Sequence, residues 1–282
     1  MKDTLRSKRE EILDANVIYH QLFAAVYDAE QTLVSKRYAQ RFFLEDISAL
    51  LSAAGKPPSE VRVLDCGAGT GNLSLKFLER GCHVVGVDIS ADMVSRLQEK
   101  LPTSWSSRFE LHVRDIDSFL ENDERQFDIV CSSSFLHHLP DYRYTYRLMA
   151  KRCARAGQIY TAVEPRGDNN LNALQQLFTQ ADERLYEIRL RKLYNPFVLL
   201  PKVVRRLTRK KSDEVNPYTL VDVSKVEDTS EGINMERLRE IASEEGFHNF
   251  KIMARCIRRT AFTTWIDRKL VRTNGTLFAI AS

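Results

Sequence analysis

Two carboxylates and a run of glycines form the most chemically suggestive stretch of this sequence. The segment Val61-Arg62-Val63-Leu64-Asp65-Cys66-Gly67-Ala68-Gly69-Thr70-Gly71-Asn72-Leu73-Ser74 reads as an apolar strand that runs into a glycine-rich turn and then opens a helix. Without side chains at Gly67 and Gly69 the backbone bends sharply and approaches a ligand closely, as a nucleotide-like molecule at the edge of a sheet requires. A second apolar strand, Val84-Val85-Gly86-Val87-Asp88, ends in an acid about 20 positions after the glycines, where a carboxylate takes both hydroxyls of a ribose. The pattern so far fits two cofactor classes, dinucleotides and adenosyl compounds.

The details separate them. A dinucleotide turn wants Gly-x-Gly-x-x-Gly, whereas the spacing here is Gly67-x-Gly69-x-Gly71, and Asn72 stands where the third glycine belongs. Asp65, two positions before the first glycine, repels a pyrophosphate but holds an ammonium group, directly or through water. The preferred ligand is therefore cationic. S-adenosylmethionine meets that description, with an adenosine, an ammonium, a sulfonium and no phosphate.

On these residues the sequence resembles the class I S-adenosylmethionine-dependent methyltransferases of the small-molecule type. Asp65-Cys66-Gly67-Ala68-Gly69-Thr70-Gly71 is similar to their first motif, and Asp88 to the acid that ends their second strand. Arg114-Asp115-Ile116 resembles the site after the third strand; Phe127-Asp128-Ile129-Val130-Cys131-Ser132 with Phe135-Leu136-His137-His138-Leu139 resembles the fourth strand and its loop. The resemblance implies an α/β doubly wound, Rossmann-like sheet of seven strands, the last antiparallel. It further implies that Asp65, Gly67, Ala68 and Gly69 line the methionine end and that Asp88 holds the ribose. Ile89 and Met93 would then cover the adenine face, Asp115 with Ile116 would meet the exocyclic amine, and Ser132 or Ser133 with His137 would border the methyl group. The Asn-Pro-Pro-Tyr signature of amino-directed nucleic-acid methyltransferases is missing; Ser132-Ser133-Ser134-Phe135 stands in its place, which argues against a nucleic-acid acceptor.

Methyl transfer from a sulfonium is an in-line displacement dominated by alignment and exclusion of water. A hydroxyl acceptor also needs a base, and histidine has a suitable pKa. The candidates are His137 and Glu164 near the expected methyl position, and His20 in the N-terminal helices. A role in shaping the cofactor site is the simpler expectation for the histidines, because an aligned donor reacts without a strong base. His137 and His138 are expected to point apart, with at most one toward substrate and no metal site. Glu164, before Pro165, either takes part or only orients the chain at the sheet edge. Asn16, His20, Phe23 and Tyr27 fall on one helical face, so Asn16, Tyr27 and His138 are candidate substrate contacts; packing against the sheet is the alternative.

The elements that must position these groups follow from periodicity. Residues 1–58 read as a helical cap closed by Gly55 and the Pro57-Pro58 pair. Residues 59–165 alternate strands (61–65, 83–88, 110–114, 127–132, 157–163) with helices such as 73–80 and 93–101, the signature of a parallel sheet. Residues 166–225 form an insertion or lid, and 226–282 complete the sheet with a helix over 235–245 and strands over 247–258 and 276–281. The acids Glu227, Asp228 and Glu231 are expected to cap that helix, with a place beside the acceptor pocket as the alternative. In the insertion, residues 191–211 hold eight basic residues and no acidic one, interleaved with apolar ones. A solvated lid is the leading expectation there, with contact to an anionic membrane, to an acidic or lipid-linked acceptor, or to nucleic acid as the alternatives.

Composition bounds the rest. The 282 residues carry 42 Lys and Arg against 38 Asp and Glu, a net +4, which does not demonstrate a broad nucleic-acid surface. Five scattered cysteines with no Cys-x-x-Cys pair read as reduced, mostly buried thiols, and the charged N-terminus does not read as a signal peptide; a cytoplasmic location is expected. The function expected from all this is methyl transfer to a small or carrier-linked acceptor, most simply at oxygen. An RNA or protein methyltransferase, or a catalytically silent binding protein, are the rivals. Oligomeric state is not readable.

Overall fold

The computed structural model describes residues 2–23, 28, 36–165, 174–175, 177–178, 181, 233–255, 257, 261–271 and 276–282. Two helices, α1 (Lys2–Phe23) and α2 (Arg37–Ala54), precede the sheet. In α2 the apolar residues Ala39, Phe43, Ile47 and Leu50 recur at helical spacing and are buried. Gly55 ends it in the left-handed region at φ 65°, donating its N–H to the Ser52 carbonyl.

The sheet then forms from β1 (Arg62–Cys66), β2 (His83–Asp88), β3 (Phe109–Val113), β4 (Phe127–Ser133), β5 (Cys153–Pro165), β6 (Phe250–Arg255) and β7 (Thr276–Ala281). Its order is β3-β2-β1-β4-β5-β7-β6. β1 pairs in parallel with β2 and β4, and β7 is antiparallel to both of its neighbours. This is the expected seven-stranded arrangement, and the chain reverses direction beside β1, where such sheets open a ligand crevice. Strand bounds differ from the sequence reading by a residue or two at most ends; β5 begins earlier, at Cys153.

Helices α3 (Ser74–Glu79), α4 (Ala91–Lys100), α5 (Ile116–Asn122), α6 (Tyr142–Arg152) and α7 (Met235–Glu244) intervene. On one face of the sheet Phe119, Tyr146, Met149 and Leu238 pack with Leu64, Val85 and Val130. On the other Phe43, Ile47, Leu50 and Phe77 pack with Val63, Val84, Ile129 and Tyr160. Strand side chains alternate between faces, so both layers draw on the same strands.

One polar knot crosses the second layer. Asp46 of α2 is buried and accepts from both guanidinium nitrogens of Arg255 (2.7 and 2.6 Å) and from the Tyr160 hydroxyl (2.8 Å). The Arg255 guanidinium also lies 4.3 Å from the Phe278 ring centroid, so the charge is both paired and stacked. A short helix, α8 (Ala261–Ile266), continues into a π-helical turn, Asp267–Val271. No helix among the described residues is long and apolar enough to cross a membrane. Cys66, Cys82, Cys131 and Cys153 are free and buried, as expected; Cys256 lies outside the described residues.

Asn234 closes the N-terminus of α7 by accepting from the Arg237 N–H, a short side chain immediately before the first helical residue. Glu227, Asp228 and Glu231 lie outside the described residues, as do Tyr27 and the basic run 191–211.

Candidate active site

The turn between β1 and α3 satisfies its own amides. Gly67 and Ala68 both donate to the Val87 carbonyl (2.9 and 3.0 Å), Gly69 donates to Asp88 Oδ2 (2.7 Å), and Gly71 to the Ala68 carbonyl (2.9 Å). Four N–H groups of the loop are thereby turned into the protein. A phosphate-binding loop needs the opposite, with free N–H groups converging on an anion. At Gly67 the φ of +73° favours glycine, and an added Cβ would stand 2.2 Å from the Phe135 ring, so the bend and the aromatic lid over it require each other.

Carboxylates face the resulting pocket. Its wall includes Asp65, Gly67, Ala68, Gly69, Asp88, Ile89, Met93, Asp115 and Ile116, each of them expected from sequence. Asp88 accepts one amide on each oxygen, from Ser90 (2.8 Å) and Gly69, which leaves lone pairs on both for further donors. Burial raises its pKa, against the pull of those two amides and of His20. Asp65 spends Oδ2 on the Ser74 N–H and hydroxyl (3.0 and 2.6 Å), while Oδ1 has only the Cys131 thiol at 3.8 Å. Burial lifts the Asp65 pKa to about 6. A cationic group would relieve that penalty.

Asp115 is more heavily used than its sequence role suggested. It caps α5 through the Ser118 N–H (3.0 Å) and accepts from Arg9 (3.0 and 3.3 Å), and Arg9 also reaches Asp117 at 2.7 Å. Asp117 is itself buried and accepts from the Thr145 hydroxyl (2.5 Å). Farther along, Asn16 donates to the His138 carbonyl (3.0 Å), and Asp28 accepts from the Thr70 hydroxyl (2.5 Å) and pairs with Lys100. The N-terminal segment is thus fastened over the pocket at three points, with Leu13, Asn16 and His20 lining it. Neither Arg9 nor Asp28 carries a sequence signal for this, since their partners lie far away along the chain.

The loop after β4 is organised by Glu164. This residue is fully buried and accepts from the N–H groups of Phe135 (3.0 Å), Leu136 (3.0 Å) and His137 (3.3 Å) and from His137 Nδ1 (2.8 Å). A carboxylate oxygen accepts, so Nδ1 of His137 is the donor of this bond. The orienting alternative for Glu164 therefore has four hydrogen bonds behind it.

Two expectations about this loop need correction. The rings of His137 and His138 do not diverge: their centroids are 4.1 Å apart, because Glu164 holds one ring while the tight 3-10 turn Leu136–His138 packs the other beside it. His138, with His20 in an edge-on contact at 5.9 Å, lines the pocket, and His137 stands behind it. Ser132 also misses the wall. It shares a register row with Cys66 and Thr161 and points into the buried layer, leaving Ser133 and Ser134 to line the pocket. Burial pushes the His138 pKa well down, with His137 and His20 adding repulsion, and burial also lowers His20 despite Asp88 nearby. Both rings on the wall are thus neutral near pH 7. Among the described residues no group of three His, Cys, Asp or Glu could hold a metal ion.

With this geometry in place, residues 63–157 match the family described as methyltransferase domain. Motif order, strand order and this match make that segment a class I S-adenosylmethionine-dependent methyltransferase domain. Over 99 residues the chain is 31% identical to a ubiquinone biosynthesis O-methyltransferase of Aromatoleum aromaticum, covering 35% of this chain and 42% of that one. Over 75 residues it is 32% identical to a tRNA1(Val) (adenine(37)-N6)-methyltransferase of Haemophilus influenzae, covering 25% and 32%. The solved magnesium protoporphyrin IX methyltransferase of Synechocystis with bound SAH aligns over 86% of this chain and 82% of that one, at 16% identity and a TM-score of 0.47. The matched stretches span 32% to 52% of the length of the curated relatives.

Proposed function

We propose that this chain transfers the methyl group of S-adenosylmethionine to a small or carrier-linked acceptor, at oxygen, by in-line displacement. The observation that carries the reading is the inward-facing loop: its amides are spent on Val87 and Asp88, while the carboxylates of Asp65, Asp88 and Asp115 line the cavity. That arrangement favours hydroxyl and ammonium donors over phosphate. In this reading Asp88 accepts from the ribose hydroxyls, Asp65 Oδ1 from the ammonium, and Asp115 from the adenine amine beside Ile116, with Ile89 and Met93 against the base.

When bound, S-adenosylmethionine supplies a methyl group already activated on a sulfonium, so the chain has only to align the acceptor and exclude water. The N-terminal strap and Phe135 provide the exclusion. An oxygen acceptor sheds a proton as the bond forms, and His20 takes it. Its imidazole hydrogen-bonds the Asn16 backbone, and burial lowers its pKa, which favours the neutral, base form. His138 shapes the wall beside it, and Glu164 with His137 fixes the loop that carries both Phe135 and His138.

The domain match reaches relatives that methylate different kinds of acceptor, so it supports the donor half of the site; the acceptor class rests on the histidine-lined wall. Calorimetry with S-adenosylmethionine and S-adenosylhomocysteine tests the donor. A tritiated-methyl assay on metabolite, RNA and protein pools then tests the acceptor: counts in metabolites support the reading, and counts confined to RNA or protein overturn it. His20→Ala should retain cofactor binding and lose turnover; unchanged turnover removes His20 from the chemistry.

A further inference from the structure

Outside the pocket lining, α8 and the turn after it expose large apolar side chains. Phe262, Trp265 and Leu270 are 68%, 55% and 72% exposed, three of the most open large hydrophobic residues described. The Phe262 and Trp265 rings lie nearly parallel, 17° apart in plane with centroids at 6.5 Å, and so present one continuous apolar slab. Trp265 also closes a groove of about 490 Å³ against Arg37, Tyr38, Arg41 and Phe42 on the outer side of α2.

Among the described residues the charge around this slab is mainly basic. Arg37, Arg41 and Lys269 are exposed beside it, and only Glu45, paired with Arg41, opposes them in the groove. In sequence, residues 258–272 hold five basic residues (Arg258, Arg259, Arg268, Lys269, Arg272) and a single acid, Asp267, which is buried. Aromatic rings flanked by Lys and Arg suit the headgroup region of a bilayer, where the rings enter the acyl boundary and the cations meet anionic lipids. We infer that α8 and the turn Asp267–Val271 form a docking face for an anionic membrane surface. A protein partner fits less well, because the apolar patch is small for a stable interface and its described rim is mainly basic. Single-stranded nucleic acid needs separated ring faces on which to stack bases, whereas these two rings lie against each other. The inference is independent of the chemistry proposed for the pocket.

Sedimentation of the full chain with vesicles decides it. Phosphatidylcholine vesicles containing phosphatidylserine should bind the protein at least about tenfold more tightly than phosphatidylcholine alone, and high salt should abolish the difference. The double variant F262A/W265A, and separately L270S, should each weaken binding by about tenfold or more and about threefold or more respectively. Both should bind S-adenosylhomocysteine like the parent, which shows that they are folded. Should the double variant fail to fold, L270S decides alone, since its side chain is the most exposed of the three. No vesicle binding, binding indifferent to phosphatidylserine, or binding unchanged in these variants overturns the inference. So does variant-sensitive binding of single-stranded RNA, or of a second copy of the chain seen by light scattering, in the absence of vesicle binding.

Discussion

Glu164→Gln removes one charge and changes one atom, and its cost can be worked from the hydrogen bonds around it. Gln keeps an oxygen for the Phe135 and Leu136 amides, both at 3.0 Å, but turns an NH2 group toward the His137 N–H (3.3 Å) and Nδ1 (2.8 Å). The His137 amide then loses its acceptor inside the protein, a loss of about 1–3 kcal/mol. The two retained bonds fall from charge-assisted to neutral strength, worth about 1 kcal/mol each, partly offset by relief of a buried charge. The His137 ring can keep its contact only by moving its proton from Nδ1 to Nε2. A net loss of about 2–4 kcal/mol follows, or a fall in Tm of roughly 5–15 °C for a protein of this size. Urea and thermal melts with the parent alongside measure it. The loop that carries Phe135 and His138 loosens too, so turnover should fall by more than the affinity for S-adenosylhomocysteine. A variant within about 0.5 kcal/mol of the parent, with unchanged turnover, would falsify the organising role of this carboxylate.

Three further outcomes are expected. Arg9→Ala unfastens the strap from Asp115 and Asp117, a loss of about 1 kcal/mol in closure, so the S-adenosylhomocysteine Kd should rise about fivefold, mostly through faster dissociation; stopped-flow release at the parental rate contradicts this. Asp65 has a pKa lifted to about 6 by burial, so its carboxylate charge is present above that pH and lost as pH falls through it. Cofactor affinity should therefore be flat above about pH 7 and weaken toward tenfold per unit below 6, a dependence that Asp65→Asn abolishes in pH-resolved calorimetry. Asp46→Ala strands Arg255 and the Tyr160 hydroxyl in the interior and should cost about 3–5 kcal/mol in denaturant melts, with cofactor affinity at low temperature unchanged.

What the sequence made legible is what is local along the chain. The strand, glycine turn and helix over 61–80 are contiguous, so residue type and spacing sufficed to put Asp65, Gly67, Gly69 and Asp88 on one wall. Asp115 and Ile116 came from the family resemblance, one strand farther on. Orientation was harder. Ser132 and Ser133 are adjacent and opposite in facing, and a strand's period of two turns a one-residue uncertainty into the wrong side of the sheet. His137 was recognised as a candidate, yet its partner lies 27 residues away on the next strand, and that bond turns it behind His138. Arg9 meets Asp115 across 106 residues and Thr70 meets Asp28 across 42, contacts that no pattern along the chain announces. Nor does any glycine spacing reveal that the loop amides are already spent, since that depends on the carbonyl of Val87 in the neighbouring strand.

The loop turns the amides of Gly67, Ala68, Gly69 and Gly71 into the protein and offers carboxylates, rather than a nest of N–H groups, to a ligand. Isothermal titration of the full chain with S-adenosylhomocysteine and, separately, with NAD tests it most directly. Saturable heat with the adenosyl thioether and none with the dinucleotide is the expected result. Binding of NAD as tight as that of S-adenosylhomocysteine, or no binding of the latter at any concentration reached, would contradict it.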